Sequence, residues 1–278
     1  LQEKLPDKVV VIGAGFIACE FACILNGLGV HVTQLVRGSN LLRGFDDDLS
    51  NLLREGVLYS GIDLRFGRIP LEIKKSLNEL NVATNSKENF TCGGVLFAIG
   101  RSPYLQGLNL EAAGLKLENQ RIPIDQHQAT KVSGIFAIGD VVNRINLTPV
   151  AIEEGRVFAD RVFGHRPRLV NYQTVPRAVF SNPEIATVGL TEEEAINLYG
   201  IDKIEVCKTR FTPMSQALQK QGTKCLLKLV IEANTKKILG CHMAGEHAAE
   251  IVQMAAISIG MGATKNDFDC TMALHPTV

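Results

Sequence analysis

Gly13, Gly15 and Ala18 stand between the hydrophobic run Lys8-Val-Val-Val-Ile12 and an apolar, helix-forming stretch that carries Phe16, Ile17 and Glu20. Small residues at that spacing suit a tight strand-to-helix turn. Gly13 turns the chain, Gly15 leaves its backbone open to a pyrophosphate, and Ala18 lets helix and strand pack closely. The free amides of the helix start then face the phosphates. The next run, Val30 to Val36, ends where such folds usually carry an acidic residue for a ribose 2′-hydroxyl. Val36 takes that place, followed by Arg37 and, further on, Arg43. Two guanidiniums in place of one carboxylate offer forked, charge-assisted hydrogen bonds to a 2′-phosphate. That pattern points to NADP over NAD; the alternative is a pair of solvated surface arginines.

The seven cysteines (Cys19, Cys23, Cys92, Cys207, Cys225, Cys241 and Cys270) form no C-x-x-C pair and no zinc-like set of pairs. Cys19 and Cys23 fall one turn apart on an apolar helix, where a cysteine serves as a small buried hydrophobe. An odd number of dispersed thiols points to a reducing compartment, with the cytoplasm as the expected location and an organelle left open.

The elements that must position these residues alternate over the first part of the chain. The pattern predicts strands at 8–12, 30–36, 62–66, 80–84 and 90–92, helices at 15–28 and from Asp46 to Ser60, and a short buried strand Val95-Leu-Phe-Ala-Ile-Gly100. Such alternation predicts a parallel α/β sheet. A further strand-and-turn signal, Gly134-Ile-Phe-Ala-Ile-Gly-Asp140, precedes an apolar helix beginning near Thr148, with Pro149 at its first turn. Beyond Gln173 the pattern shifts to strands at 174–180, 204–210 and 224–231 with helices at 191–199 and 247–261. An antiparallel sheet with helices on one side is expected there.

Composition sets the limits. The chain of 278 residues is 46% hydrophobic, enough for about two domains with real cores. Its 29 basic and 29 acidic residues balance, so charge makes no case for nucleic acid or an anionic membrane surface. No apolar run is long enough to span a bilayer, and Leu1-Gln-Glu-Lys4 does not read as a signal sequence.

Taken in order, the Gly13/Gly15/Ala18 loop, Ala98-Ile-Gly-Arg101, Gly139-Asp140, Leu147-Thr-Pro149 and Ala273-Leu-His-Pro-Thr277 resemble the pyridine nucleotide-disulfide oxidoreductase family over the whole chain. Arg37, Arg43, Phe211-Thr-Pro-Met214 and Gly262-Ala-Thr-Lys-Asn-Asp-Phe268 resemble its branch that reduces oxidised glutathione with NADPH. The resemblance implies an α/β fold with a Rossmann-like NAD(P)H-binding domain (1–102), the C-terminal part of an FAD-binding domain (103–172) and an α+β dimerisation domain (173–278). It also implies a flavoprotein homodimer. No two cysteines show the family's C-x-x-x-x-C spacing, so the chain is expected to be a fragment lacking the first FAD segment and its redox disulfide. Related reductases of lipoamide or another small disulfide, and a non-catalytic nucleotide-binding and dimerisation fragment, stay open as alternatives.

Residue roles follow from the same resemblance. Asp140 is expected at the ribityl chain of FAD, although a carboxylate there also suits a turn cap. Leu147 and Thr148 open a helix whose positive end would face the flavin pyrimidine ring. Glu20 matches a glutamate that pairs with a lysine beside the reactive flavin nitrogen, the alternative being an exposed helix residue. Phe16 departs from the tyrosine that commonly gates the nicotinamide pocket. Gly100 and Arg101 line the nicotinamide nucleotide site. Arg156 matches an arginine that binds a glutathione carboxylate, and Phe211 and Met214 would meet glutathione from the partner subunit, with Ser215 departing from a tyrosine found in some relatives. His275 is the expected general acid/base for the thiol chemistry, serving the other subunit's active site.

Overall fold

The computed structural model describes residues 4–77, 79–218 and 224–277. It divides into two compact units: one built from the chain up to Ile99 together with the chain from Pro176 onward, the other from Gly100–Val175.

In the first unit, β1 (Lys8–Ile12) leads into α1 (Phe16–Gly27), β2 (His31–Val36), α2 (Asp47–Tyr59) and β3 (Asp63–Phe66). Then come β4 (Pro70–Ser76), β5 (Glu79–Thr84), β6 (Asn89–Cys92) and β7 (Gly94–Phe97). Strands β3-β2-β1-β7 form a parallel sheet in that order. The β-branched run of β1 is buried on both sides, as a central parallel strand requires. Val9 and Val11 face α1 and α2, while Val10 and Ile12 face Val82 and Cys92. Strands 80–84 and 90–92 therefore do not extend the parallel sheet. They pair antiparallel with β4 into a separate sheet of order β4-β5-β6 that covers its other face. Strand β4 is charged and largely exposed, and its alternation is confined to Leu71 and Ile73; its pairing with β5 holds it.

The returning chain supplies β8 (Arg177–Val179), β9 (Ile185–Gly189), α4 (Glu192–Tyr199), β10 (Ile204–Phe211), β11 (Cys225–Glu232) and β12 (Ile238–Ala244), with α5 (Ala248–Gly260) and α6 (Lys265–Cys270) after them. The strands form an antiparallel sheet of order β10-β11-β12-β9-β8. Alternation splits its side chains cleanly. Ala186, Val188, Cys225 and Met243 meet Ala248, Val252 and Ile259 of α5. Val179, Ile185, Leu226 and Ala244 join the cluster holding Leu49, Leu52 and Leu53 of α2. Helices thus cover both faces, the second one supplied by the N-terminal stretch of the chain. Gly56 of α2 marks this close approach, since a Cβ there would sit 2.3 Å from Pro183 Cδ.

A buried ion cluster ties the same two stretches. Lys228 on β11, only 3% exposed, places Nζ 2.8 Å from Asp46, 2.7 Å from Asp48 and 2.7 Å from Glu192. Asp46 also caps α2 by accepting from the Asp48 amide at 3.1 Å.

The second unit holds α3 (Thr148–Val162) and short helical turns at Leu110–Ala113 and Gly139–Val142. Ile122, Ala137 and Val142 form its core. The stretch 134–140 is no regular strand. It makes one isolated bridge, Ala129 to Phe136, plus an amide bond from Ala137 to the Gln128 carbonyl. A short apolar run becomes a strand only where a longer partner lies beside it.

Candidate functional site

Gly13 has φ +142, and a Cβ there would fall 2.2 Å from the Ala98 carbonyl oxygen and 3.2 Å from Ala18 Cβ. The turn closes only because both positions are small. Gly15 caps α1, and nothing lies within 4 Å of where its Cβ would be, so the backbone is open on that side. Phe16 and Ile17 begin the helix, Phe16 being exposed and Ile17 half-buried. The cradle is braced from beneath by Gln34, a fully buried side chain of β2 whose amide donates to the Gly13 carbonyl at 3.0 Å. A glutamine inside the apolar run His31–Val36 was the available signal for that brace. Burial pushes the neighbouring Cys19 thiol up to about 12, which keeps it protonated and places it in the packing, not in redox chemistry.

Arg37 leaves the end of β2 and Arg43 lies on the loop that follows; both are exposed, and neither pairs with a carboxylate among the described residues. Between them Leu41 and Leu42 are buried, and the Leu42 amide donates to the Ala14 carbonyl at 2.8 Å. The two guanidiniums are thus held on one loop that is stitched to the glycine turn. Glu20 is half-buried on α1 and accepts from the Phe180 amide at 2.9 Å, so it is neither a free surface residue nor without a partner.

In the second unit, the Gly139 amide donates to Glu154 Oε2 at 2.6 Å and the Tyr172 hydroxyl to Glu154 Oε1 at 2.6 Å. Glu154, 1% exposed, fixes the turn that carries Asp140; nothing in its sequence context distinguished it from its neighbour Glu153. Asp140 is exposed, and its carboxylate makes no hydrogen bond among the described residues; the turn is closed by its carbonyl, to the Asn143 amide at 3.1 Å. Leu147 caps α3 without a side-chain bond, and Thr148 starts it exposed. A free carboxylate beside an uncapped helix start fits a ligand with hydroxyls and an electron-accepting ring, as FAD has. Gly100 and Arg101 open this unit, and Arg156 lies on α3; all three are exposed, and neither arginine has a carboxylate partner among the described residues.

At the C-terminal side of the first unit, Phe211 ends β10 half-buried against the cluster under α5, and Met214 is 71% exposed. His275 is exposed and makes no hydrogen bond among the described residues. The structure brings the glycine turn, Arg37, Arg43 and Glu20 together in one unit; it places Asp140, Leu147, Thr148, Arg101 and Arg156 in the other.

Residues 1–155 match the family described as pyridine nucleotide-disulphide oxidoreductase, and residues 175–278 match its dimerisation domain. The chain belongs to the pyridine nucleotide-disulphide oxidoreductase family, a group of FAD- and NADP-dependent oxidoreductases. Among individual proteins it is similar to glutathione reductases. It is 44% identical over 274 residues to that of Burkholderia cepacia, covering 98% of this chain and 61% of the relative. Identity is 40% over 289 residues to that of Nostoc sp., covering 98% and 62%. To the chloroplastic/mitochondrial glutathione reductase of Pisum sativum it is 41% over 274 residues, covering 98% and 49%. The chain therefore spans about six tenths of the two bacterial relatives and about half of the pea protein. Among the described residues no helix is long and apolar enough to cross a membrane.

Proposed function

We propose that the protein carrying this chain is an NADPH-dependent flavoprotein disulfide reductase that converts oxidised glutathione to two molecules of glutathione and works as a homodimer. The observation that carries this is the open glycine turn flanked by two exposed arginines without carboxylate partners, Arg37 and Arg43. In the overall reaction one NADPH and one proton reduce one disulfide to two thiols. A bound FAD supplies the two-electron relay between nicotinamide and disulfide.

The chain's own residues bind, orient and move a proton. Gly13, Gly15, Ile17 and Ala18 hold the pyrophosphate while Arg37 and Arg43 grip the 2′-phosphate. Phe16 shields the nicotinamide side; Gly100 and Arg101 are further nucleotide contacts by the family resemblance. Asp140 holds ribityl hydroxyls, and Leu147 and Thr148 aim the α3 amides at the flavin ring. Glu20 stands ready for a lysine through its second oxygen. Arg156 takes a glutathione carboxylate, Phe211 and Met214 line the peptide, and His275 hands a proton to the departing thiolate. The free cysteines suit a reducing compartment such as the cytoplasm.

The deciding experiment uses the full-length protein. Hydrogen bonds between charged groups are worth about 1.5–3 kcal/mol, so Arg37→Ala should weaken NADPH binding roughly ten- to a hundredfold. NADH binding should barely change. Equal losses for both cofactors would remove the 2′-phosphate role and, with it, the NADPH assignment.

A further inference from the structure

The loop that bears Arg43 is anchored by residues that lie far away in the chain, on the antiparallel sheet. Arg37 sits at the end of β2, whose register is fixed by β1 and β3 on either side. Arg43 lies outside the sheet, between Leu42 at φ 51 and Gly44 at φ 83. The Leu42 amide, on the Ala14 carbonyl at 2.8 Å, fixes the backbone on its entry side, and the exit must fix the other. That exit is Phe45 and Asp46. Asp46, 2% exposed, accepts from the Lys228 ammonium at 2.8 Å and from the Glu192 amide at 3.1 Å. Just before it, the Arg177 guanidinium lies 5.0 Å from the centroid of the Phe45 ring and reaches the Gly44 carbonyl at 3.5 Å. Lys228, Glu192 and Arg177 all belong to the returning chain.

We propose that Lys228 and Arg177 are positioning residues for nucleotide choice: they fix the Gly44–Asp46 exit and thereby hold Arg43 on the 2′-phosphate. This role presupposes the NADPH assignment above. In the same assignment the pyrophosphate meets Gly13 to Ala18, which no hydrogen bond or ion pair joins to Lys228 or Arg177 among the described residues, so releasing the exit falls chiefly on the 2′-phosphate. The dimerisation half of the chain then sets the cofactor preference of the nucleotide half.

The test measures dissociation constants of the full-length protein for 2′,5′-ADP and 5′-AMP by calorimetry, in the wild type and in Arg37→Ala, Lys228→Met and Arg177→Leu. The ratio of the two constants reads the 2′-phosphate alone. Loss of one well-placed charged contact corresponds to a roughly ten- to hundredfold fall in that ratio, and misaiming Arg43 while it stays in place to a smaller one of about five- to tenfold, expected for both Lys228→Met and Arg177→Leu with 5′-AMP binding unchanged. A purely structural role would lower thermal stability and leave the ratio at its wild-type value, and that result would overturn the proposal. If Lys228→Met does not fold, the Arg177→Leu ratio decides. A wild type that binds both ligands equally would instead sink the NADPH assignment. Discrimination that vanishes in Arg37→Ala but survives in both anchor variants would sink only the positioning role.

Discussion

Two glycines, two residues apart, make opposite demands on the cradle. At Gly13 an added methyl would collide with backbone at 2.2 Å and the φ of +142 disfavours any L side chain, so Gly13→Ala must shift β7 or the turn. We expect a loss of about 1–3 kcal/mol in stability, read by thermal or urea melts, together with weaker nucleotide binding. At Gly15 the backbone has φ −79 and open space, so Gly15→Ala should melt like the wild type. Its methyl would stand where the pyrophosphate approaches, so calorimetry should still show weakened NADPH binding. A destabilised Gly15→Ala with normal binding would show that the cradle faces elsewhere. The strand-to-helix turn at these glycines and Ala18 was legible in the sequence because strand, turn and helix start fall within one stretch. Gln34, Glu154 and Lys228 were not, because each acquires its role from a distant partner. Lys228 and Asp46 are 182 positions apart, and nothing near either one announces the other.

Among the elements, those with a strong period of their own could be read from the chain. β1 and β2 are buried β-branched runs, and α2 carries the cap Asp46 ahead of buried Leu49, Leu52, Leu53 and Val57. β4 and the stretch 134–140 could not, since pairing partners decide them. Strand β12 passed unnoticed too, because a buried histidine interrupts its apolar run: in His242, Nδ1 lies 2.6 Å from the Thr187 hydroxyl of β9 and Nε2 3.0 Å from the Leu190 carbonyl. The neutral ring satisfies both, accepting at one nitrogen and donating at the other. Burial holds its pKa below the ordinary 6.5, against the pull of Asp46 and the Leu190 carbonyl and with help from Lys228 and Arg177. A folded-state pKa below the unfolded one means that the unfolded chain binds the proton first. Stability from this site is therefore complete above about pH 6.5 and declines as the pH falls below it. Asp48 acts further into acid: burial raises its pKa, hydrogen bonds from Lys228 and Lys208 outweigh that, and its contribution is lost only as the pH falls from 3.8 through the lowered value. Urea midpoints should thus drop as the pH falls below about 6.5, and His242→Gln, which keeps one donor and one acceptor, should flatten that slope. An unchanged slope would assign the acid sensitivity to other groups.

At the scale of the molecule, the first unit is assembled from stretches separated by the whole of Gly100–Val175. Boundaries read along a chain cannot reveal this, because composition and periodicity report neighbours in sequence while the shared cluster of Leu53, Ile185 and Leu226 reports neighbours in space. The parallel sheet and the five-stranded antiparallel sheet should therefore unfold together. Truncating a buried Leu or Ile to Ala costs about 2–5 kcal/mol, so Leu53→Ala and Ile185→Ala should each lower the protection of amides in β1 and in β12 alike, as hydrogen exchange would record. Loss confined to the mutated side would mean that the halves open independently. The same discontinuity bears on biosynthesis. Translation delivers Leu49, Leu52 and Leu53 long before Val179, Ile185, Leu226 and Ala244, so part of the apolar face of α2 is uncovered when it leaves the ribosome. Until β12 emerges, the N-terminal stretch is an unfinished core, and the time that elongation takes through the intervening segment is time during which apolar surface stands open to aggregation.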